Sequence, residues 1–221
     1  MSHLISNSRL AFQYISNKSE QSRHSNHVDD EIHDFYEPLQ LENNDNSNLR
    51  YLLNEISNAI PYPYNCKKIR INNMVQEGLH LQVHNLILTD IFQNILLNAL
   101  KYSFQGSSIR LYSKLFSNTV RIYIKNDGLK IRDEEKIDIF KYGYRGYATK
   151  GFKEEIEGES INYKEGENEN LGIGLYKCDQ LVSHVLEGEI RISTEPSRIR
   201  NASVNTFEII LPKQLLKGDT L

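Results

Sequence analysis

Cysteine, long apolar runs and basic clusters are all scarce in this chain, and each scarcity removes a class of protein. Two cysteines, Cys66 and Cys178, stand far apart and in no Cys-x-x-Cys or Cys/His spacing, which excludes a disulfide-stapled scaffold or a zinc finger and fits a reducing compartment. No window approaches the roughly 18 consecutive apolar residues of a membrane-spanning helix, and the N-terminus lacks the apolar core of a signal peptide. With a net charge of -3 and no basic run, nucleic acid and anionic membranes are poor partners. What remains is a cytoplasmic, globular chain with no membrane segment. Its negative mean hydropathy, -0.53, leaves room for polar segments beside the core.

The densest apolar stretch is residues 90–103, DIFQNILLNALKYS. At about 100° per residue, Ile91, Phe92, Ile95, Leu96, Leu97, Ala99 and Leu100 cover most of a helix surface, while Asn94, Asn98 and Lys101 fall within an arc of about 60°. Amides set in so apolar a helix must find partners, because an unpaired buried amide costs about 1–3 kcal/mol. One reading is a structural water or neighbouring backbone. The other is a ligand, with Asn98 offering oxygen to a hydrated cation and Lys101 a charge to a phosphate.

Before this helix, residues 16–30 and 42–48 are almost free of large apolar side chains and read as exposed or disordered. Between them Ile32, Phe35, Tyr36 and Leu39 form one short apolar face, interrupted by Pro38. Such a segment makes no core alone. It is expected to dock on the main body, a second copy or a partner, so residues 1–48 are taken as accessory, 49–215 as the folded domain and 216–221 as a tail. Helical spacing begins at Leu49 and runs through Leu52, Leu53, Ile56 and Ile60, until Pro61 and Pro63 end it. Residues 67–73 and 79–88 read as short strands, or as a strand and an approach to the helix of Asp90; strand patterns follow at 108–114, 119–125, 189–193 and 205–211, with Asn126-Asp127-Gly128 read as interrupting one of them. Helices mixed with hairpin-forming strands predict an α/β fold of the two-layer α+β sandwich type, a mostly antiparallel mixed sheet covered on one face by helices.

Three further segments are each ordinary alone. Residues 125–131, KNDGLKI, read as a turn at a strand end. Residues 139–153, IFKYGYRGYATKGFK, mix aromatics with Arg145, Lys150 and Lys153. Residues 170–185, NLGIGLYKCDQLVSHV, lead Gly172 and Gly174 into a helix, where backbone N–H groups approach an anion closely.

Their order is more specific than any one of them. An Asn-x-x-x-Asn helix, a strand ending in NDG, IF…GYRGYATKG, GIGLYK and a closing TFEIILP strand resemble, from Leu49 to Pro212, the ATP-binding domain of sensor histidine kinases, in the gyrase, chaperone, histidine kinase and MutL (GHKL) superfamily. The resemblance implies a Bergerat-type ATP-binding fold with ATP and Mg²⁺ as cofactors. It implies that Asn98 holds the metal, with Asn94 beside it, and that Lys101 and Tyr102 contact metal, phosphates or nucleotide. The aspartate of the family's Asp-x-Gly-x-Gly box, which accepts from the adenine amine, falls in register from Gly128 on Asn126. Asp127 is one residue off, and the box's second glycine is Lys130. Arg145 and Lys150 match phosphate-reaching positions. Gly172, Gly174 and Leu175 match the last glycine box, and residues 151–170, with seven glutamates, match the nucleotide lid, expected to move without nucleotide.

The hydrolysing members of the superfamily place a glutamate where this chain has Asn94, and an amide takes no proton, so the pattern resembles the kinase branch and implies weak ATPase activity at most. His33 and Asp34 resemble the family's phosphoacceptor histidine and adjacent acid. About fifteen residues separate them from Leu49, too few at 1.5 Å per residue for the return helix of an acceptor hairpin. His33 therefore stands as a candidate acceptor against an exposed histidine on a docking segment. The function implied is phosphoryl transfer to a histidine in two-component signalling. Its partners would be ATP and a protein, whether phosphoacceptor, response regulator or regulated protein, with a homodimer open. An anti-sigma-like serine kinase and a non-catalytic ATP-dependent interaction switch are the alternatives.

Overall fold

The computed structural model describes residues 32, 34–40, 47–60, 67–147, 153–156, 159–162, 172–199 and 202–217. His33, Lys150 and most of the expected lid lie outside them.

Five strands form the main sheet: β2 (Arg70–Met74), β4 (Ser108–Leu115), β5 (Thr119–Gly128), β8 (Glu189–Pro196) and β9 (Ser203–Pro212), in the order β2-β4-β5-β9-β8. Only the β2–β4 pair is parallel, so the sheet is mixed and mostly antiparallel as expected. Two short strands, β1 (Ser47–Asn48) and β3 (His80–Leu81), pair with each other, and β6 (Lys153–Ile156) pairs with β7 (Glu159–Asn162) as a separate hairpin within the expected lid. On one face lie α2 (Leu49–Asn58), α3 (Asn85–Tyr102) and α4 (Gly174–Gln180), the last continuing as a π turn over Leu181–Val185. A short helix, α1, covers residues 34–40.

Strict alternation explains the sheet. In β5, Val120, Ile122 and Ile124 are buried towards the helices, while Arg121, Tyr123 and Lys125 point the other way. Ile109, Leu111, Phe207, Ile209 and Leu211 complete the inner face, against Leu52, Leu53, Ile87, Ile91, Ile95 and Leu100. Each such side chain contributes about 1.5–3 kcal/mol on burial. On the outer face Tyr112 and Tyr123 stack with centroids 4.7 Å apart.

Two local outcomes differ from the sequence pattern. The long helix begins at Asn85 rather than Asp90, because His84 caps it by accepting the Leu86 N–H at 3.2 Å. Residues 79–88 accordingly hold a two-residue strand and the first turn of α3. β5 also runs through Asn126-Asp127-Gly128 without interruption, pairing those residues with Asn205, Val204 and Ser203 of β9, since the flanking ladder satisfies their backbone groups.

The N-terminal segment docks on the main body. Ile32 and Tyr36 are buried in the same core as the sheet, with Phe35 and Leu39 packed against it. At the other end, Gln82 donates its N–H to the Leu215 carbonyl at 2.7 Å and Leu216 bridges Leu81, so the chain's last described residues also close on β3.

Candidate nucleotide site

The asparagine helix joins the other segments, meeting the GIG turn at Asn94 and the NDG strand end at Tyr102, while the GIG turn packs on GYR. In α3, Asn94 donates its amide to the Asp90 carbonyl at 2.8 Å, which fixes the rotamer and leaves its Oδ1 facing α4. That oxygen lies 2.9 Å from where a Cβ on Gly174 would be, so the second glycine of GIG lets α4 approach the asparagine helix. Gly172 sits at φ +71°, and a Cβ there would lie 2.7 Å from the Tyr144 carbonyl oxygen. Both backbone conformation and space require glycine. The GYR segment is thereby packed on the glycine box, and Arg145, the next residue, is exposed beside it. Leu175 packs partly buried on the core.

At the other end of α3, Gly128 passes so close that an added Cβ would stand 2.2 Å from the Tyr102 carbonyl oxygen. The Leu129 N–H donates to that oxygen at 3.0 Å. Asn126 is 2 % exposed and donates its amide to Ser103 Oγ at 2.9 Å, and that hydroxyl donates in turn to the Ala99 carbonyl at 2.5 Å. The amide thus ties β5 to the C-terminal turn of α3. Asp127 faces the opposite side of the sheet, accepting from Ser197 Oγ at 2.6 Å and lying 3.8 Å from the Arg110 guanidinium. A one-residue offset in a strand reverses the face, so its carboxylate is remote from the helices. Lys130 is exposed.

The polar stripe of α3 is half-buried at Asn94, Asn98 and Lys101, and Lys101 Nζ lies 5.3 Å from the Tyr102 ring centroid. A buried lysine, Lys67, donates to the Leu100 and Lys101 carbonyls at 2.9 and 3.0 Å, closing the helix end. Asn94 and Asn98 carry the carboxamide oxygens of this stripe. No group of three or more His, Cys, Asp or Glu side chains that could hold a metal occurs among the described residues. Neutral hard-oxygen donors suit Mg²⁺ when phosphates supply the balancing charge, so the donor set fits that ion with a nucleotide and not as a free-standing metal centre.

Three residues of consequence escape a reading by sequence. Glu135, 5 % exposed, accepts from the Tyr147 and Arg132 N–H groups at 2.5 and 3.1 Å and from the Tyr144 hydroxyl at 3.3 Å. Burial alone would raise its pKa, but these donors outweigh it and hold the carboxyl below the usual range. It braces the loop that carries Arg145; only an Arg132-x-x-Glu135 capping spacing hinted at it. Asp90 and Lys177 form a buried ion pair at 3.0 Å. The i, i+4, i+8 spacing of Asp90, Asn94 and Asn98 could have placed Asp90 on the polar stripe; nothing local marks Lys177.

Helices over one face of a mixed sheet, an asparagine helix against a double-glycine turn, and a glycine-closed strand end define a nucleotide-binding domain of the two-layer α/β type. The sequence profile of the family described as Histidine kinase-, DNA gyrase B-, and HSP90-like ATPase matches residues 84–215, more than half of the chain, and the chain belongs to that family of ATP-binding domains. No curated protein matches it in sequence. Among solved structures it is similar to the mycobacterial sensor histidine kinase MprB, with 16% identity and a TM-score of 0.59 over 76% of this chain and 97% of that one. The nucleotide-free catalytic domain of histidine kinase ThkA shares 20% identity at a TM-score of 0.56, covering 76% and 96%. The Acinetobacter baumannii histidine kinase AdeS shares 17% at 0.56, covering 95% and 94%. At these identities the likeness is one of fold. No helix among the described residues is long and apolar enough to cross a membrane.

Proposed function

We propose that this chain binds Mg-ATP between α3, the end of β5 and the start of α4, and transfers the γ-phosphoryl group to a histidine in a signalling pathway, with the acceptor on a protein partner in the cytoplasm. The observation that carries the reading is the seating of Asn94 Oδ1 against Gly174, which puts the asparagine helix and the double-glycine turn in direct contact. Asn98 and Asn94 would hold the cation, and Lys101 and Arg145 would reach the phosphates. The bound cation would neutralise phosphate charge. Asn94 stands where a water-activating carboxylate would be needed, and its amide cannot serve as a general base, which favours transfer to an acceptor over hydrolysis. The chain's own contribution is positioning: Gly172 and Gly174 seat the glycine box on Tyr144 and Asn94, from where its backbone would approach the phosphate chain, and Glu135 fixes the loop bearing Arg145.

Two measurements test this. Calorimetry with Mg²⁺ and a non-hydrolysable ATP analogue should show binding that Asn98→Ala abolishes while the far-ultraviolet circular dichroism is unchanged; equal binding by that variant refutes the site. Incubation with γ-labelled ATP, alone and with candidate partners, should then give an acid-labile, base-stable label. An acid-stable phosphoserine on the partner would point to a serine kinase instead, and nucleotide-dependent partner binding without label to an interaction switch.

A further inference from the structure

One buried cluster makes none of the contacts assigned to the nucleotide. Tyr36, Asp90 and Lys177 are 0 %, 2 % and 2 % exposed and come from α1, α3 and α4. Lys177 Nζ meets Asp90 Oδ2 at 3.0 Å, the Tyr36 hydroxyl donates to the same oxygen, and Lys177 Nζ lies 5.1 Å from the centroid of the Tyr36 ring. A charged pair this deep costs several kcal/mol to desolvate, so packed apolar side chains would hold three helices together at least as well. Directional bonds add a fixed register between the helices.

Position decides what that register controls. Asp90 is one turn before Asn94 and accepts the Asn94 amide on its backbone carbonyl. Lys177 is three residues beyond Gly174. The two helices therefore touch in two places: at Asp90–Lys177 in the interior and at Asn94–Gly174 at the edge of the layer. The Cys178 thiol, 3.5 Å from the Ile91 carbonyl, adds a third contact on the interior side. Helix α1 is also held at a second point, at the start of α3. Gln40 donates to the Gln82 carbonyl at 3.0 Å and accepts the N–H of His84, the residue that caps α3, at 3.2 Å.

We propose that Tyr36, Asp90 and Lys177 are positioning residues that make the seated helix 34–40 part of the nucleotide site. With α1 in place, α3 and α4 are held at the separation that brings Asn94 onto Gly174; displacement of α1 releases that separation and weakens nucleotide binding. The inference rests on the nucleotide-binding reading above. Linkage makes it reciprocal: nucleotide must tighten the seating of α1 by the same factor. The accessory segment would then report its own state, docked or withdrawn, to the site.

The experiment uses the whole chain and ADP with Mg²⁺. Tyr36→Phe keeps the ring and removes only the hydroxyl, and Gln40→Ala loosens the same helix from a different point. Each should weaken ADP binding by about 5- to 10-fold, the lower part of the usual range for coupled sites, at a temperature where all the proteins are fully folded. Amide hydrogen exchange of residues 34–40 in the unaltered protein should slow on adding ADP, and this protection should shrink in Tyr36→Phe. Unchanged affinity in both variants with no nucleotide effect on exchange at 34–40, even if melting temperatures fall, overturns the coupling and leaves the nucleotide site standing. An unaltered protein that binds no ADP overturns both.

Discussion

Removing the cation of the buried pair gives the sharpest test of how these helices are held. Lys177→Met keeps length and apolar bulk but leaves the Asp90 carboxylate, 2 % exposed, with its Tyr36 hydroxyl and without the ammonium at 3.0 Å. Stranding one member of a buried pair costs about 3–5 kcal/mol, and the remaining tyrosine bond places this case near 3. For a domain of 150–250 residues a loss of 1 kcal/mol lowers the melting temperature by about 2–4 °C, so Lys177→Met should melt about 6–12 °C lower. The triple variant Tyr36→Phe/Asp90→Leu/Lys177→Met removes every polar member of the cluster and should recover to within about 1 kcal/mol of the parent. Urea denaturation followed by circular dichroism measures both. A loss below about 1 kcal/mol for the single variant, or a triple variant as unstable as the single, refutes the claim that the ion pair contributes register more than stability.

Glu135→Gln should alter the acid limb of the stability curve. Because the folded carboxyl is held below its ordinary value, its contribution is complete above about pH 4.3 and fades as pH falls through the lower folded value; urea midpoints taken from about pH 6 to pH 3 should therefore drop less steeply in the variant. Gly128→Ala forces a methyl to 2.2 Å from the Tyr102 carbonyl oxygen and should cost about 2–3 kcal/mol by the same urea assay; a neutral result would show that β5 and α3 can separate freely. Asn126→Asp takes away the donor to Ser103 Oγ, whose own proton is already given to Ala99, and should cost about 1–2 kcal/mol in the melting curve.

Patterns that repeat along one element were legible in the sequence. Apolar positions spaced for a helix from Leu49, and alternation in 119–125, correspond to α2 and β5 as built. The order of the asparagine helix, NDG, GYR and GIG segments pointed to the family to which the chain belongs. Less legible was whatever depends on two elements meeting. Asn126 carries no local sign that its amide would be spent on Ser103, and Asp127 differs from it by one position yet stands on the other face. The Tyr36–Asp90–Lys177 cluster joins residues separated by 54 and 87 positions, so no window contains it. The start of α3 was misplaced by five residues because a histidine, rather than the commoner serine or aspartate, caps it.

The strand order has a consequence for synthesis. β9 is the last of the described strands, yet it lies between β5 and β8, pairing with β5 over Ser203–Pro212 and with β8 over residues 203–210. While the chain emerges from the ribosome, β5 keeps an open edge, with Val120, Ile122 and Ile124 beside it, until residues past 203 are free. The β2-β4-β5 half can form early, but the sheet closes only once β9 has been made. A sheet built in this order depends on β9 for protection from aggregation, and a chain truncated before β9 should give an insoluble fragment rather than a smaller working domain.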